Sequence, residues 1–151
     1  MSRPLSIFLH SAEYDRTYQA VNMARTALAM GRRVHLFLLY GALASFVAGT
    51  WDDVETIRGG DDREPGGQGK KAPATGWIDG MRRRFELSDT PSLYDLLEKA
   101  RAGGGGVRVY ACSASARFAG LAPRDLLGRV DDIVGLSTML EISEQSESFY
   151  I

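Results

Sequence analysis

The apolar residues of this chain alternate between short runs and stripes of helical spacing. Residues 5–9 form a short apolar run that ends just before a polar group, which is typical of a buried strand followed by a loop. Five apolar residues then recur at helical spacing, namely Ala20, Val21, Ala24, Ala27 and Leu28. Gly31 ends this predicted helix, and residues 33–39 form the next apolar run. The order strand, helix, strand predicts a right-handed parallel crossover.

The second half of the chain repeats this alternation. A helical stripe begins after Thr90-Pro91, where threonine can cap the helix and proline suits its first turn, and it ends before Gly103. Three further strands are predicted, at residues 107–111, 131–136 and 148–151. Ser137 is placed to cap a helix between the last two strands. Together these elements predict an α/β fold: a three-layer α/β/α domain with a mainly parallel sheet of four or five strands.

Two glycine-rich segments interrupt the pattern. Residues 59–71 lack apolar side chains and are rich in glycine and charge, so we predict a flexible insertion around 58–76 within one domain that spans 1–151. Four successive glycines at 103–106 are reminiscent of a phosphate-binding loop. Such a loop follows a strand and opens a helix, whereas these glycines precede a strand, so we interpret them as a helix-to-strand turn.

Composition argues against several classes of function. The chain has 151 residues, 44% hydrophobic and 25% charged, and a formal net charge of -1, which argues against a nucleic-acid partner. Its longest apolar stretch, residues 34–49, falls short of the roughly 20 residues of a spanning helix, so no membrane association is expected. A single cysteine cannot form an internal disulfide, which favours a cytoplasmic location. The two histidines have no metal-ligand spacing to it, and neither a metal nor a cofactor is expected.

That cysteine, Cys112, is the leading candidate for chemistry. It stands at the end of the predicted strand 107–111 and immediately before a predicted helix. A helix start presents unpaired N–H groups and the positive end of the helix dipole, and both favour a thiolate. The competing interpretation is that Cys112 is a small buried apolar residue, which is a common environment for a lone cysteine. The chemical interpretation requires that solvent can reach the sulfur atom.

Polar residues near other strand ends extend this candidate site, because ligands of parallel sheets collect beyond the carboxyl ends of the strands. The candidate binding residues are Ser113, Ser115, Arg117, His10, Glu13, Tyr14 and Gly41. Most of them also have a purely structural interpretation. Ser113 is well placed as a helix N-cap, Arg117 as a solvated helix residue, and Glu13 as a favourable charge at a helix start. His10 has the alternative of ring nitrogens that are hydrogen-bonded locally, without a role as a base.

Three segments of the chain resemble the DsrE/DsrF-like proteins. They are residues 7–10 with the helix that follows, residues 107–115 with the sequence Tyr-Ala-Cys-Ser at their centre, and residues 133–141 with 148–151. The resemblance covers most of the chain outside residues 51–90. It implies an α/β/α domain, frequent homo- or hetero-oligomers and, in the sulfur-relay members, a cysteine that carries sulfur as a persulfide. Cys112 falls at the position of that cysteine.

The leading hypothesis is therefore a sulfur carrier or sulfurtransferase that holds a persulfide on Cys112 and exchanges it with donor and acceptor proteins. The alternative is a noncatalytic oligomeric module that binds a small ligand or a protein, with Cys112 as a structural residue. A third possibility is an enzyme that uses His10, Glu13 or Tyr14 without the thiol, although no acid–base spacing supports it.

A homo-oligomer is also expected. Parallel α/β domains leave edge strands and apolar helix faces that a neighbour can cover. Three aromatic residues close to the insertion, Trp51, Trp77 and Phe85, are candidates for such an interface.

Overall fold

A computed structural model describes residues 2–58 and 75–151 of the chain. The strands are β1 (Leu5–Leu9), β2 (Val34–Leu38), β3 (Val107–Cys112), β4 (Asp132–Val134) and β5 (Glu147–Tyr150). The helices are α1 (Tyr14–Ala29), α2 (Tyr40–Ala48), α3 (Thr75–Leu87), α4 (Leu93–Ala102), α5 (Ser113–Phe118), α6 (Pro123–Leu126) and α7 (Leu136–Ser143). A short 3-10 helix covers Val54–Thr56. None of the described helices combines the length and the apolar character needed to cross a bilayer.

The five strands form one parallel sheet in the order β4-β3-β2-β1-β5. The three central strands are aligned so that each residue of β1 lies beside a residue of β2, which in turn lies beside a residue of β3. Helices cover both sides of the sheet. The predicted three-layer α/β/α fold with a mainly parallel sheet is thereby confirmed.

The two faces of the sheet are covered unequally. Alternate residues of the strands, such as Ile7, Leu36 and Val109, enter a large core together with α1, α4 and α2. The opposite face carries a smaller cluster, to which α7 contributes the buried Met139. Strand residues alternate between faces, so the same short strands supply both clusters.

A row of aromatic rings crosses the smaller cluster. Phe37 on β2 lies between Phe8 on β1 and Tyr110 on β3, with ring centroids 4.8 Å and 5.0 Å away. Tyr150 on β5 stacks on the other side of Phe8 at 4.6 Å. These residues are register partners on neighbouring strands, so the aligned ladders bring the rings together. Tyr150 is the only ring of the row that is largely exposed.

The segment between β2 and α4 differs from the sequence-based expectation. Positions 59–74 of the predicted insertion lie outside the described residues, whereas Gly76 belongs to α3, a helix that the sequence pattern did not reveal. Trp51, expected at an interface, is fully buried, and its indole N–H donates to the Ala42 carbonyl at 3.1 Å. Phe85 is half-buried and packs edge-on against Tyr14 and Tyr18, while Trp77 is exposed. The large core thus takes up aromatic residues that sequence reasoning assigned to a partner surface.

The start of α4 is fixed by a residue distant in sequence. The carboxylate of Asp52 accepts the Leu93 N–H at 2.7 Å and the Ser92 hydroxyl at 2.6 Å. The bond from Leu93 satisfies an N–H that the helix cannot pair internally. The N-cap is therefore Ser92 and not the predicted Thr90. Similarly, Gly135 and not Ser137 occupies the N-cap of α7.

The Asp52 contact can be tested by mutation. Asp52→Ala removes the acceptor from the start of α4, and we expect it to lower the free energy of unfolding by about 0.5–2 kcal/mol, the usual cost of losing a helix cap. Asp89→Ala, on the exposed segment before the same helix, is the control and should change stability by less. Urea unfolding followed by circular dichroism measures both variants. Equal stability of the two variants would contradict this role of Asp52.

Candidate functional site

Cys112 is the last residue of β3 and the N-cap of α5, so the predicted junction of strand and helix is present. Its sulfur atom accepts a hydrogen bond from the backbone N–H of Ser115, with Sγ and N 3.5 Å apart. The thiol therefore occupies the capping position that sequence analysis assigned to Ser113, which is the first residue of the helix instead. A sulfur atom can act as a weak acceptor for such an N–H.

The expectation that solvent reaches this sulfur is wrong. Cys112 is only 5% exposed and belongs to the smaller apolar cluster. The other buried members of that cluster are Phe8, Phe37, Tyr110, Val134 and Met139. The physical reason lies in the alternation of strand residues: Cys112 is two residues after Tyr110, so it points to the same face and under α7.

The serines next to Cys112 have different environments. Ser115 is fully buried, and its hydroxyl has no hydrogen-bond partner among the described residues. Ser113 is exposed, and its hydroxyl oxygen lies 3.8 Å from the position that a Cβ on Gly135 would take. Gly135 precedes α7, so the starts of α5 and α7 lie side by side next to the thiol. A side chain at position 135 would contact Ser113 directly.

His10 lies at the same edge of the sheet as Cys112, two strands away. Leu9 lies beside Leu38, and Leu38 lies beside Ala111. The next residue of each strand, His10, Leu39 or Cys112, therefore occupies a neighbouring position at the carboxyl end of the sheet. Leu39 packs against the cluster that contains Cys112 and stands between the two. The imidazole of His10 is exposed and lies against the ring of Tyr40, with centroids 5.3 Å apart. His10 is thus near the thiol but separated from it by an apolar side chain.

Three other predicted residues do not join Cys112. Tyr14 is buried in the large core on the other side of the sheet, and its backbone N–H donates to the Thr56 hydroxyl at 2.8 Å. Glu13 is the N-cap residue of α1, and its carboxylate pairs with Arg16 at 3.4 Å. Arg117 is exposed and lies over the ring of Phe118, 5.5 Å from its centroid. Glu13 and Arg117 thus have the local structural roles of their alternative interpretation, whereas Tyr14 is a core residue.

A cavity of about 410 Å³ lies beside α5, but Cys112 is absent from its lining. Ser113 and Arg117 contribute to its wall, together with Leu121 and Ile133 from the large-core side of the sheet. Gly41 lies at the start of α2, where a Cβ would sit 3.5 Å from the His10 carbonyl oxygen and from the Ala12 side chain. Among residues 2–58 and 75–151, no three or more His, Cys, Asp or Glu side chains group as metal ligands would.

Sequence reasoning missed two features of this region. Tyr40 has a positive φ of 37°, a backbone conformation that non-glycine residues rarely adopt, at the turn from β2 into α2. Met139 covers the cysteine cluster from α7. No sequence signal marks the strained turn, whereas the aromatic residue near the end of each of three strands could have indicated a second apolar cluster on one face.

A polar pair lies on the same sheet face, nearer the start of β2. The His35 ring nitrogen Nδ1 and the Tyr110 hydroxyl are 3.3 Å apart. Burial lowers the pKa of His35, and the positive charges of Arg33 and Arg108 lower it further. Burial likewise raises the pKa of Tyr110, so both side chains favour their neutral forms. A hydrogen-bonded pair that favours its neutral form therefore adjoins the cluster around Cys112, on the side away from the carboxyl ends of the strands.

The chain matches a known protein family. The DsrE/DsrF-like family matches residues 5–149. The chain belongs to the DsrE/DsrF-like family. This membership supports a sulfur-relay-related role in general. No curated protein matches the chain.

A solved structure shares the fold of this DsrE/DsrF-like chain. It is the protein MTH1491 of Methanobacterium thermoautotrophicum, described as a protein of unknown function. The two chains are 14% identical and superpose with a TM-score of 0.58, which covers 99% of this chain and 100% of the other. At this identity the likeness concerns the fold alone.

The lowered pKa of His35 predicts a pH dependence of stability. The folded protein releases the proton of His35 more readily than the unfolded chain, so between about pH 7 and 5 the unfolded chain binds more protons. The free energy of unfolding should therefore fall as pH decreases through this range. In His35→Gln, which retains a polar partner for Tyr110, we expect a smaller fall. Urea unfolding at pH 7.5 and 5.5 measures both slopes, and identical slopes would contradict the assignment.

Proposed function

We propose that this protein is a sulfur carrier that holds a persulfide on Cys112 and passes it between proteins. The observation that carries the proposal is the location of the thiol, at the N-cap of α5 with the Ser115 N–H directed at its sulfur. An N–H group at this place stabilises negative charge on the sulfur during exchange. Membership of the DsrE/DsrF-like family supports the same chemistry.

The proposed reaction is two successive thiol exchanges without net oxidation. The Cys112 thiolate attacks the terminal sulfur of a donor persulfide, a bond forms between Sγ and that sulfur, and the donor leaves as a thiolate with the electron pair of the broken S–S bond. An acceptor thiolate then attacks the same terminal sulfur and Cys112 leaves as a thiolate. The chain has only one cysteine, so both partners must be other molecules, and no cofactor is required.

Burial of Cys112 sets a structural condition on this reaction. The attacking and attacked sulfur atoms must come into contact, whereas Sγ is covered by Val134 and Met139. The cover consists of the end of β4, the glycine turn and the start of α7, and β4 is only three residues long. We therefore propose that movement of this β4–α7 segment, on binding of a donor or acceptor protein, exposes the thiol. Leu136, at the start of α7, is 64% exposed and available for that contact.

Several further expectations belong to this proposal. The chain acts as one DsrE/DsrF-like domain over residues 1–151 and works as a homo-oligomer in the cytoplasm. Two serines are the expected neighbours of the reacting sulfur: the Ser115 N–H is directed at Sγ, and the Ser113 hydroxyl lies beside Gly135, just before α7. His10 and Gly41 form part of the surrounding edge, where the carboxyl ends of β1 and β2 face an approaching partner.

A second function is favoured by the burial itself. A thiol packed among Phe37, Tyr110 and Met139 is also what a structural cysteine in a noncatalytic oligomeric binding module would show. The two functions differ in the reactivity of Cys112. A structural cysteine reacts only when the protein unfolds, while a carrier cysteine reacts through a local opening.

Sulfur loading distinguishes the two functions. We expect the reduced protein, incubated with glutathione persulfide or inorganic polysulfide, to gain one sulfur atom by intact-protein mass spectrometry. Cys112→Ser should gain none, because it lacks the only thiol. Absence of loading with both donors, in a protein whose thiol also resists alkylation until it unfolds, would favour the structural role.

A matched pair of substitutions on α7 tests the route of access. Met139→Ala removes the fully buried cover of the cluster, and we expect it to increase the rate of Cys112 alkylation and sulfur loading about tenfold or more. Leu140→Ala changes a 55% exposed neighbour on the same helix and should leave both rates unchanged. Circular dichroism checks that each variant is folded. Equal rates in the two variants would contradict opening at α7.

A further inference from the structure

The two edges of the sheet differ in how well they are protected. The β4 edge has three residues and carries the acidic Asp131 and Asp132, a charge pattern that discourages pairing with another strand. The opposite edge, β5, has four residues, all exposed. Its one charged residue, Glu147, is paired with Arg32 at 2.8 Å. The other residues of β5 are uncharged, so the β5 edge has no unpaired charge that would discourage pairing with another strand.

On one side of β5 the backbone groups are hydrogen-bonded to β1, and on the other side they pair with no strand among the described residues. The N–H groups of Glu147 and Ile151 donate towards β1, to the carbonyls of Pro4 and Phe8, and His10 donates to the Ile151 carbonyl. Successive strand residues alternate direction, so the N–H and C=O groups of Ser148 and Tyr150 point away from β1. No strand pairs with this side among the residues that the structure describes.

A groove whose only charged lining residues are the paired Arg32 and Glu147 runs beside this edge. A cavity of about 350 Å³ lies between α1 and β5, and Phe149, 39% exposed, forms part of its wall. The α1 residues that line it are Gln19, Asn22, Met23, Thr26 and Ala27, and the C-cap residue Met30 adjoins them. None of them is charged, although a quarter of the chain is charged. Met30 is 66% exposed, so the groove leaves apolar surface uncovered next to the free backbone groups.

We propose that β5 pairs antiparallel with β5 of a second copy of this chain across a two-fold axis at Phe149. In this register Ser148 lies opposite Tyr150 of the other copy, and each N–H meets a carbonyl of its counterpart. The two Phe149 side chains meet at the axis on the α1 side, where they fill the grooves beside β5 in both copies. The contact is isologous, as expected for a closed dimer.

Charge favours a second copy as the occupant over an unrelated strand. In the two-fold register Glu147 lies opposite Ile151 of the other copy, so the two Glu147 carboxylates stand at opposite ends of the contact. Each keeps its own Arg32 partner. The α1 residues that line the two grooves carry no charge, and the charged residues of each groove, Arg32 and Glu147, neutralise each other within one copy. This inference is independent of the chemistry of Cys112.

A proline substitution tests the pairing selectively. The Ser148 N–H points away from β1, so Ser148→Pro removes a donor of the proposed dimer contact and none of the β1–β5 ladder. Size-exclusion chromatography with light scattering should give twice the 16.5 kDa chain mass for the wild type and the mass of a single chain for Ser148→Pro. Leu127→Arg, an exposed residue between α6 and β4, is the control and should keep the wild-type mass.

Amide hydrogen exchange of the wild type gives a test that needs no variant. We expect the Ser148 and Tyr150 amides to be protected at high protein concentration and to lose that protection on dilution, while the Phe149 amide stays protected by β1. A monomeric wild type would overturn the proposal. So would an oligomer whose mass is unchanged by Ser148→Pro, or fast exchange at Ser148 and Tyr150 at every concentration.

Discussion

The aligned parallel ladder from β1 through β2 to β3 is the constraint on which the rest of this structure depends. Its backbone hydrogen bonds fix the three strands with no stagger between them. Because side chains alternate along each strand, that alignment decides which residues become neighbours on each face. Phe8, Phe37 and Tyr110 stack for this reason, and Cys112 follows two residues later on the same face.

The two faces of this ladder serve different purposes. The larger core buries α1, α4 and the indole of Trp51, and it accounts for most of the apolar burial. The smaller cluster has α7 and the short strand β4 as its cover, and it contains the single thiol. A small cluster closed by short elements opens locally at a lower free-energy cost than a large core. Burial of the thiol and its proposed use in exchange are therefore compatible, provided that the β4–α7 cover and not the large core moves.

The edges of the sheet add a second level of organisation. The cysteine and the start of α7 lie towards β4, whereas the unprotected strand β5 lies at the far side of the sheet. Pairing of two copies through β5 would leave the β4 side free. The proposed exchange of sulfur with other proteins requires one surface for assembly and another for partners, and the strand order places β5 and β4 at opposite edges of the sheet.

The sequence by itself predicted the five strands, the helices α1, α4, α5 and α7 and the resemblance to the family, but not α3. Apolar runs such as residues 5–9 and the stripe of α1 depend on local periodicity, which the chain carries without reference to distant residues. The tertiary structure decided the order of the strands, the burial of Cys112 under Met139 and the start of α4 at the N-cap Ser92, where Asp52 accepts the Leu93 N–H. Each of these depends on contacts between residues far apart in the chain, and local pattern contains no information on which distant residue will fill a given place. A cysteine at a strand end is a sequence observation, but whether its sulfur faces water is decided by the helix that folds over it.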